Sequence, residues 1–200
     1  MMSDDLVSRI AALPRGGAAR VLVALAGAPG SGKSTLADHL ALGTGGRVVP
    51  MDGFHLDNRV LGARGLRARK GAPETFDAAG FSTMIARLKA GGEVAIPTFD
   101  RSRDIAIAGA EIIAPQDRLL IVEGNYLLFD HPDWRGLANL WDFSIRLDVP
   151  RALLRERLVA RWRSFGLDEA AAVERAEGND LANADAIAAA ALPADLVLRG

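Results

Sequence analysis

Eight consecutive residues carry the plainest chemistry in this chain: Gly27-Ala28-Pro29-Gly30-Ser31-Gly32-Lys33-Ser34. They match G-x-x-x-x-G-K-[ST], a spacing that lets successive backbone N–H groups turn inward around a phosphate chain. Gly27, Gly30 and Gly32 leave no side chain in the way of an approaching phosphate, while Ala28, Pro29 and Ser31 fill out the loop. Lys33 is placed to reach the outer phosphates, and the Ser34 hydroxyl to ligand Mg²⁺. Thr35 follows in the first turn of a helix whose positive end faces the loop. The expected ligand is a nucleoside triphosphate, read as ATP with Mg²⁺.

Other residue types gain meaning from where they fall. Asp52 ends an apolar run, in place to orient an attacking hydroxyl or take its proton. Asp-Gly is also a common turn pair, so the local sequence alone leaves both readings of Asp52 open. Glu123 closes the run Leu119-Leu120-Ile121-Val122. An unpaired carboxylate there costs several kcal/mol, which favours a metal-side role for Glu123. Arg155, Arg157, Arg161 and Arg163 follow Pro150 on one helix; one of them could close over a triphosphate, and the rest read as a solvated face. His55 is a substrate candidate set against a structural role, and His39 and His131 are assigned none. Asn179, Asp180 and Asn183 form a polar cluster that could line the nucleotide pocket or cap a helix, with the cap preferred.

These residues need a scaffold, and the hydropathy pattern supplies one. Leu6, Ile10 and Leu13 have helical spacing, with Pro14 and Gly16-Gly17 as the stop. Strands are expected at residues 20–26, 47–51, 118–122, 143–149 and 195–198, alternating with helices at 33–43, 78–90, 150–163, 168–177 and 182–191. Residues 94–99 and 105–113 read as a hairpin, with Pro97 calling for an edge position. Residues 57–77, rich in Arg, Gly and Pro, read as an irregular excursion with one helix near 57–64. The alternation predicts a three-layer α/β sandwich, a mostly parallel sheet flanked by helices. Ligands of such sheets sit beyond the C-terminal strand edge, so the phosphate loop, Asp52 and Glu123 should meet in one crevice.

Two hundred residues suit one domain, with 57–77 and about 155–180 as candidate lid or substrate segments. A net charge of −1 gives no basic field for nucleic acid, and no apolar run approaches a membrane span. With no cysteine there are no disulfides or thiolate sites, and the acidic start lacks a signal-peptide pattern, so a cytoplasmic location is expected. The partner implied is a small-molecule hydroxyl acceptor, with a homodimer left open.

The phosphate loop, Met51-Asp52-Gly53-Phe54 and Ile121-Val122-Glu123-Gly124 together resemble the P-loop kinases that include uridine kinases, phosphoribulokinases and type I pantothenate kinases. The pantothenate kinase likeness runs furthest, through Asn58, Leu61, Arg64-Gly65-Leu66, Lys70-Gly71, Pro73-Glu74, Asp77, Asp142-Phe143-Ser144-Ile145 and Leu153-Leu154. The resemblance implies the P-loop fold and phosphotransfer to a hydroxyl, with Asp52 as the catalytic carboxylate. It also implies Lys33 and Ser34 on phosphates and metal, Glu123 near the metal and Arg161 near the phosphates.

The acceptor half departs from that family. The Tyr-x-His pair of pantothenate kinases and the Tyr-Asp-Phe segment of uridine kinases are both replaced by Thr98-Phe99-Asp100-Arg101-Ser102-Arg103-Asp104. Asp100, Arg101 and Arg103 are therefore acceptor candidates by position. Similar bacterial proteins are associated with sugar transport, which adds sugars to pantothenate-like and nucleoside acceptors. The competing class is an ATP-binding switch without transfer, in which Asp52 has no evident purpose. Neither the Asn-Lys-x-Asp segment of guanine readers nor the Leu-Ser-Gly-Gly-Gln signature of transporter ATPases is present.

Overall fold

A computed structural model of the chain describes residues 2–14 and 20–200; the expected Gly16-Gly17 stop lies outside the described residues. Five parallel strands form the central sheet: β1 (Val21–Gly27), β2 (Arg47–Pro50), β5 (Leu119–Gly124), β6 (Phe143–Asp148) and β7 (Leu196–Arg199). Their spatial order is β2-β5-β1-β6-β7. The central strands β1 and β5 are buried along their whole length, which is why their sequences run apolar without alternation.

Successive β1 side chains feed opposite faces. Leu22, Ala24 and Ala26 join Phe81, Met84, Ile85 and Leu88 of α4 (Ala78–Ala90), together with Trp134 and Leu137. Val23 and Leu25 join Leu6 and Ile10 of α1 (Met2–Ala11) and Ala37 and Leu40 of α2 (Lys33–Thr44). Helices thus cover both faces, giving the three layers that the alternation of elements implies.

A third cluster holds the C-terminal helices over the phosphate loop. Leu154 and Leu158 of α5 (Arg151–Ser164) pack with Ala28, Ala172, Ala176 and Leu181. Helix α6 (Glu169–Arg175), capped by the Asp168 carboxylate accepting from Ala171 N, runs through a π-helical turn (Ala176–Leu181) into α7 (Ala182–Ala189). The Asn179/Asp180 stretch is therefore not a cap between two helices, as its polar composition suggested. It lies within one continuous helical path, and the wide turn rotates the residues that follow.

Strands β3 (Val94–Asp100) and β4 (Ile105–Ile113) form a separate antiparallel pair. Register slips beside Pro97, whose missing N–H cannot join the ladder. The 57–77 excursion contains α3 (Asn58–Ala63) and two short 3₁₀ turns.

One buried charge ties the frame together. Arg20 is 2% exposed, and its guanidinium donates to the carbonyls of Asp117 (2.9 Å), Leu88 (3.1 Å), Ala114 (2.8 Å) and Gly92. It joins the start of β1 to the end of α4 and to the β4–β5 connection. No helix among the described residues is long and apolar enough to cross a membrane.

Candidate active site

The C-terminal ends of β1, β2 and β5 open onto a cavity of about 840 Å³. Pro29 and Lys33 of the phosphate loop, Asp52, His55, Arg101 and Arg161 all line it.

At the loop, Gly30 and Gly32 take positive φ values of 78° and 87°, which residues with a Cβ adopt only under strain. A Cβ on Gly27 would stand 2.5 Å from Ser31 Oγ. That hydroxyl is buried with no hydrogen-bond partner, as expected of a group awaiting an anion. Lys33 starts α2. Burial lowers its pKa, and the charges of Glu123 and Asp52 counter that shift. Burial likewise raises the pKa of Glu123, and Lys33 counters it.

Ser34 Oγ donates to Glu123 Oε2 at 3.2 Å. Among the described residues no group of three or more His, Asp or Glu side chains could cage a metal. One hydroxyl and one carboxylate make the sparse protein donor set that suits Mg²⁺, which takes its other ligands from phosphates and water. The loop and this pair therefore fit a triphosphate with its metal.

Asp52 sits on a 3₁₀ turn (Met51–Phe54) at the end of β2. The turn packs directly on β3: a Cβ on Gly53 would lie 2.5 Å from Pro97 O, so only glycine allows this approach. Burial alone would raise the Asp52 pKa, but the His55 imidazole and the cations Arg101, Lys33 and Arg161 bring it below the ordinary value. His55 Nδ1 lies 2.7 Å from Asp52 O, so that nitrogen carries the proton and donates. Its ring is sandwiched between Phe76 and Phe99, at centroid distances of 4.0 and 4.6 Å. Burial lowers the His55 pKa, against the Asp52 charge.

The three hairpin candidates separate. Arg101 faces the cavity, with Nη2 2.6 Å from Asp52 Oδ2. Asp100 and Arg103, expected from position to meet the acceptor, do not line the cavity. Asp100 accepts from Ser102 N (2.9 Å), Ser102 Oγ (2.6 Å), Arg103 N (3.1 Å) and Arg103 Nε (2.7 Å). Those bonds hold its pKa well below the carboxylate range, and both side chains are spent in shaping the turn. Asp104, at φ 55°, is the sole non-glycine at positive φ among the described residues.

Of the four helix arginines, Arg161 alone lines the cavity; Arg155 and Arg163 pair with Glu177 and Glu169, and Arg157 reaches toward Gly30 O at 3.4 Å. Burial lowers the Arg161 pKa, and Arg101 adds to the effect.

Other lining residues are Asp180, which reads from sequence as a cap, and Lys70 and Asn125, to which the sequence gives no chemical role. Asp180 accepts from Trp162 Nε1 at 2.6 Å and borders the cavity; burial raises its pKa. Lys70 bridges Asn58 Oδ1 (2.9 Å) and Asp104 Oδ1 (2.9 Å) beneath the Phe99 ring. Asn125 lines the cavity with a buried Oδ1 that lacks a partner. Its position directly after Glu123-Gly124, at a strand end on the ligand edge, is the signal that could have marked it.

Fold and site together define a P-loop nucleotide-binding protein of the small-molecule kinase type. The chain belongs to the phosphoribulokinase/uridine kinase family, whose model matches residues 22–164. It is 56% identical to a crystallised "putative fructose transport system kinase" of Silicibacter sp. TM1040, with a TM-score of 0.94 over 99% of each chain. It is 35% identical to a "putative uridine kinase" of Schizosaccharomyces pombe over 90% of this chain and 83% of that one. The pantothenate kinase of Leifsonia xyli is 34% identical over 80% of this chain, which spans about half (49%) of that protein.

Proposed function

We propose that the protein is an ATP-dependent phosphotransferase that moves the γ-phosphoryl group to a hydroxyl of a small metabolite, of sugar, pantothenate-like or nucleoside type. The observation that carries this reading is the presence of Asp52 and Lys33 on one cavity, a carboxylate for the acceptor beside a cation for the phosphates. A module that only bound nucleotide would have no use for a carboxylate at that point.

In the proposed reaction the acceptor oxygen bonds to the γ-phosphorus as the bond to the β,γ-bridging oxygen breaks. The acceptor proton passes to Asp52, which is ionised and ready to take it. The loop amides and Lys33 bind the phosphate oxygens, and Arg161 faces the transferring group with positive charge. Ser34 and Glu123 would hold Mg²⁺, which supplies further neutralisation of the triphosphate. The 57–77 excursion and the α5–α7 region meet over the cavity: Asn179 Nδ2 donates to Lys70 O at 2.8 Å, and Arg175 Nη1 to Ala68 O at 3.2 Å. Such a cover excludes water, which would otherwise compete as the acceptor.

The test is ADP release from Mg²⁺-ATP against a panel of pantothenate, uridine, ribose, fructose, their phosphates and nucleoside monophosphates. Acceptor-dependent release supports the reading. Tight ATP binding with no release above the acceptor-free rate for any compound would place the switch reading first.

A further inference from the structure

The cavity carries more positive charge than the partners assigned so far account for. Six cations line it (Lys33, Arg67, Lys70, Arg101, Arg161 and Arg175) against the carboxylates Asp52, Asp104 and Asp180. Asp52 is taken by Arg101 and Asp104 by Lys70. Lys33 and Arg161 have the triphosphate as their partner in the reading above. Asp180 already accepts from Trp162 Nε1 and feels both Arg161 and Arg175.

That leaves two arginines from different segments of the chain. Arg67 opens the 3₁₀ turn Arg67–Arg69 of the excursion, and among the described residues its guanidinium has no ion-pair or hydrogen-bond partner. Arg175 ends α6 and lies over Trp162 at 5.1 Å. Its one hydrogen bond among the described residues goes to a neutral group, Ala68 O, on the residue next to Arg67. The Arg175 side chain thereby reaches the backbone beside Arg67, and both residues line the one cavity. Guanidinium forks match the oxygens of carboxylate and phosphate, and neither of these two has a carboxylate bonded to it among the described residues.

Resting on the phosphotransferase reading, we infer that the acceptor carries an anionic group, carboxylate or phosphate, held between Arg67 and Arg175 while its hydroxyl faces Asp52. A sugar phosphate or a hydroxy acid fits this description, and a neutral sugar or nucleoside does not. Because one arginine comes from the excursion and the other from the α6 cover, the same anion would draw the two together as it binds.

The experiment begins with protein saturated with Mg²⁺ and a non-hydrolysable ATP analogue, so that the phosphate loop is filled. Inorganic phosphate and acetate are then titrated by calorimetry into wild type, Arg67→Gln and Arg175→Gln. At least one anion should bind wild type, and each substitution should weaken it about tenfold with the analogue's affinity unchanged. Arg175→Lys, which keeps the charge, should recover part of the loss. In parallel, ADP release is measured for the pairs fructose and fructose 6-phosphate, and glycerol and glycerate. The anionic member should be preferred, the fructose pair reporting on phosphate and the glycerol pair on carboxylate. The inference is overturned if neither anion binds loaded wild type, or if binding is indifferent to both substitutions, an adventitious ion only. Turnover of a neutral acceptor with a KM unmoved in both variants would also overturn it while leaving the kinase reading intact. Arginine-dependent anion binding without acceptor-dependent ADP release would do the reverse, keeping the anion site and removing phosphotransfer.

Discussion

Arg101 Nη2 lies 2.6 Å from Asp52 Oδ2, so a side chain from the β3–β4 turn caps the carboxylate at the end of β2. The Asp52 side chain is only 18% exposed, and without nearby cations burial would push its pKa up. The pair instead holds it ionised, at the cost of occupying an oxygen that an acceptor hydroxyl needs. An incoming hydroxyl must share Asp52 with Arg101 or displace it.

This pairing has a signature in pH. Asp52 lies below its ordinary value, so the acid limb of kcat/KM should fall below the unperturbed carboxylate pKa of about 3.9. Removing a cation disfavours ionisation, so Arg101→Gln should move that limb to higher pH. Folding is linked with the same sign: a depressed carboxylate stabilises the fold above its unfolded pKa, and the contribution fades as pH falls through the folded value. An unmoved limb in Arg101→Gln would show that Arg101 does not set the ionisation of Asp52.

Asp52 and Lys33 should separate kinetically. Asp52→Asn should keep ATP binding and lower kcat by roughly 10²-fold or more. Lys33→Ala should weaken triphosphate use for every acceptor. Near-normal turnover by Asp52→Asn would remove the proposed base.

Gly53→Ala tests the seat of the Asp52 turn. Its new methyl would meet backbone at both Pro97 O (2.5 Å) and Pro97 C (2.7 Å), neither of which can swing aside. We expect a loss of about 1–3 kcal/mol in denaturant unfolding. Displacement of Asp52 should also lower kcat by at least about tenfold, with nucleotide affinity preserved. A variant of native stability and rate would show that the two elements part without consequence.

Arg20 should prove structural. Arg20→Met would leave its buried carbonyl partners without a donor and cost roughly 3 kcal/mol. The loss should appear in unfolding midpoints, with KM for ATP unaffected in the fraction that folds.

Tyr126, the chain's one tyrosine, is fully buried and donates to Gly71 O at 2.6 Å. Burial drives its pKa well above the ordinary phenol value. A raised pKa contributes stability that is present below the unfolded value of about 10 and is lost as pH rises further. Tyrosinate absorbance should therefore appear only with unfolding. Tyr126→Phe should cost about 1 kcal/mol at neutral pH and soften the alkaline drop. Titration of the phenol in folded protein near pH 10 would contradict its burial.

Much of this molecule is legible one segment at a time. The phosphate loop is contiguous, and its glycines, lysine and serine lie in register whatever surrounds them. The unbroken apolar runs of β1 and β5 announce strands buried on both faces, and the strand-end rule then gathers the loop, Asp52 and Glu123 on one edge. Side-chain direction in irregular backbone is another matter. Asp100, Arg101 and Arg103 were equivalent by position. The slip at Pro97 and the left-handed Asp104 aim Arg101 at Asp52 and turn the other two on each other. Asp180 read as a cap because its neighbours are polar; a π-helical turn, which no local periodicity reports, carries it to the cavity beside Trp162. The loop, the sheet and the strand ends can be read from the chain alone, because they follow from contiguous motif and burial pattern. Which charges face one another across the cavity is set by the packing together of turns from distant segments, and no single segment carries that information.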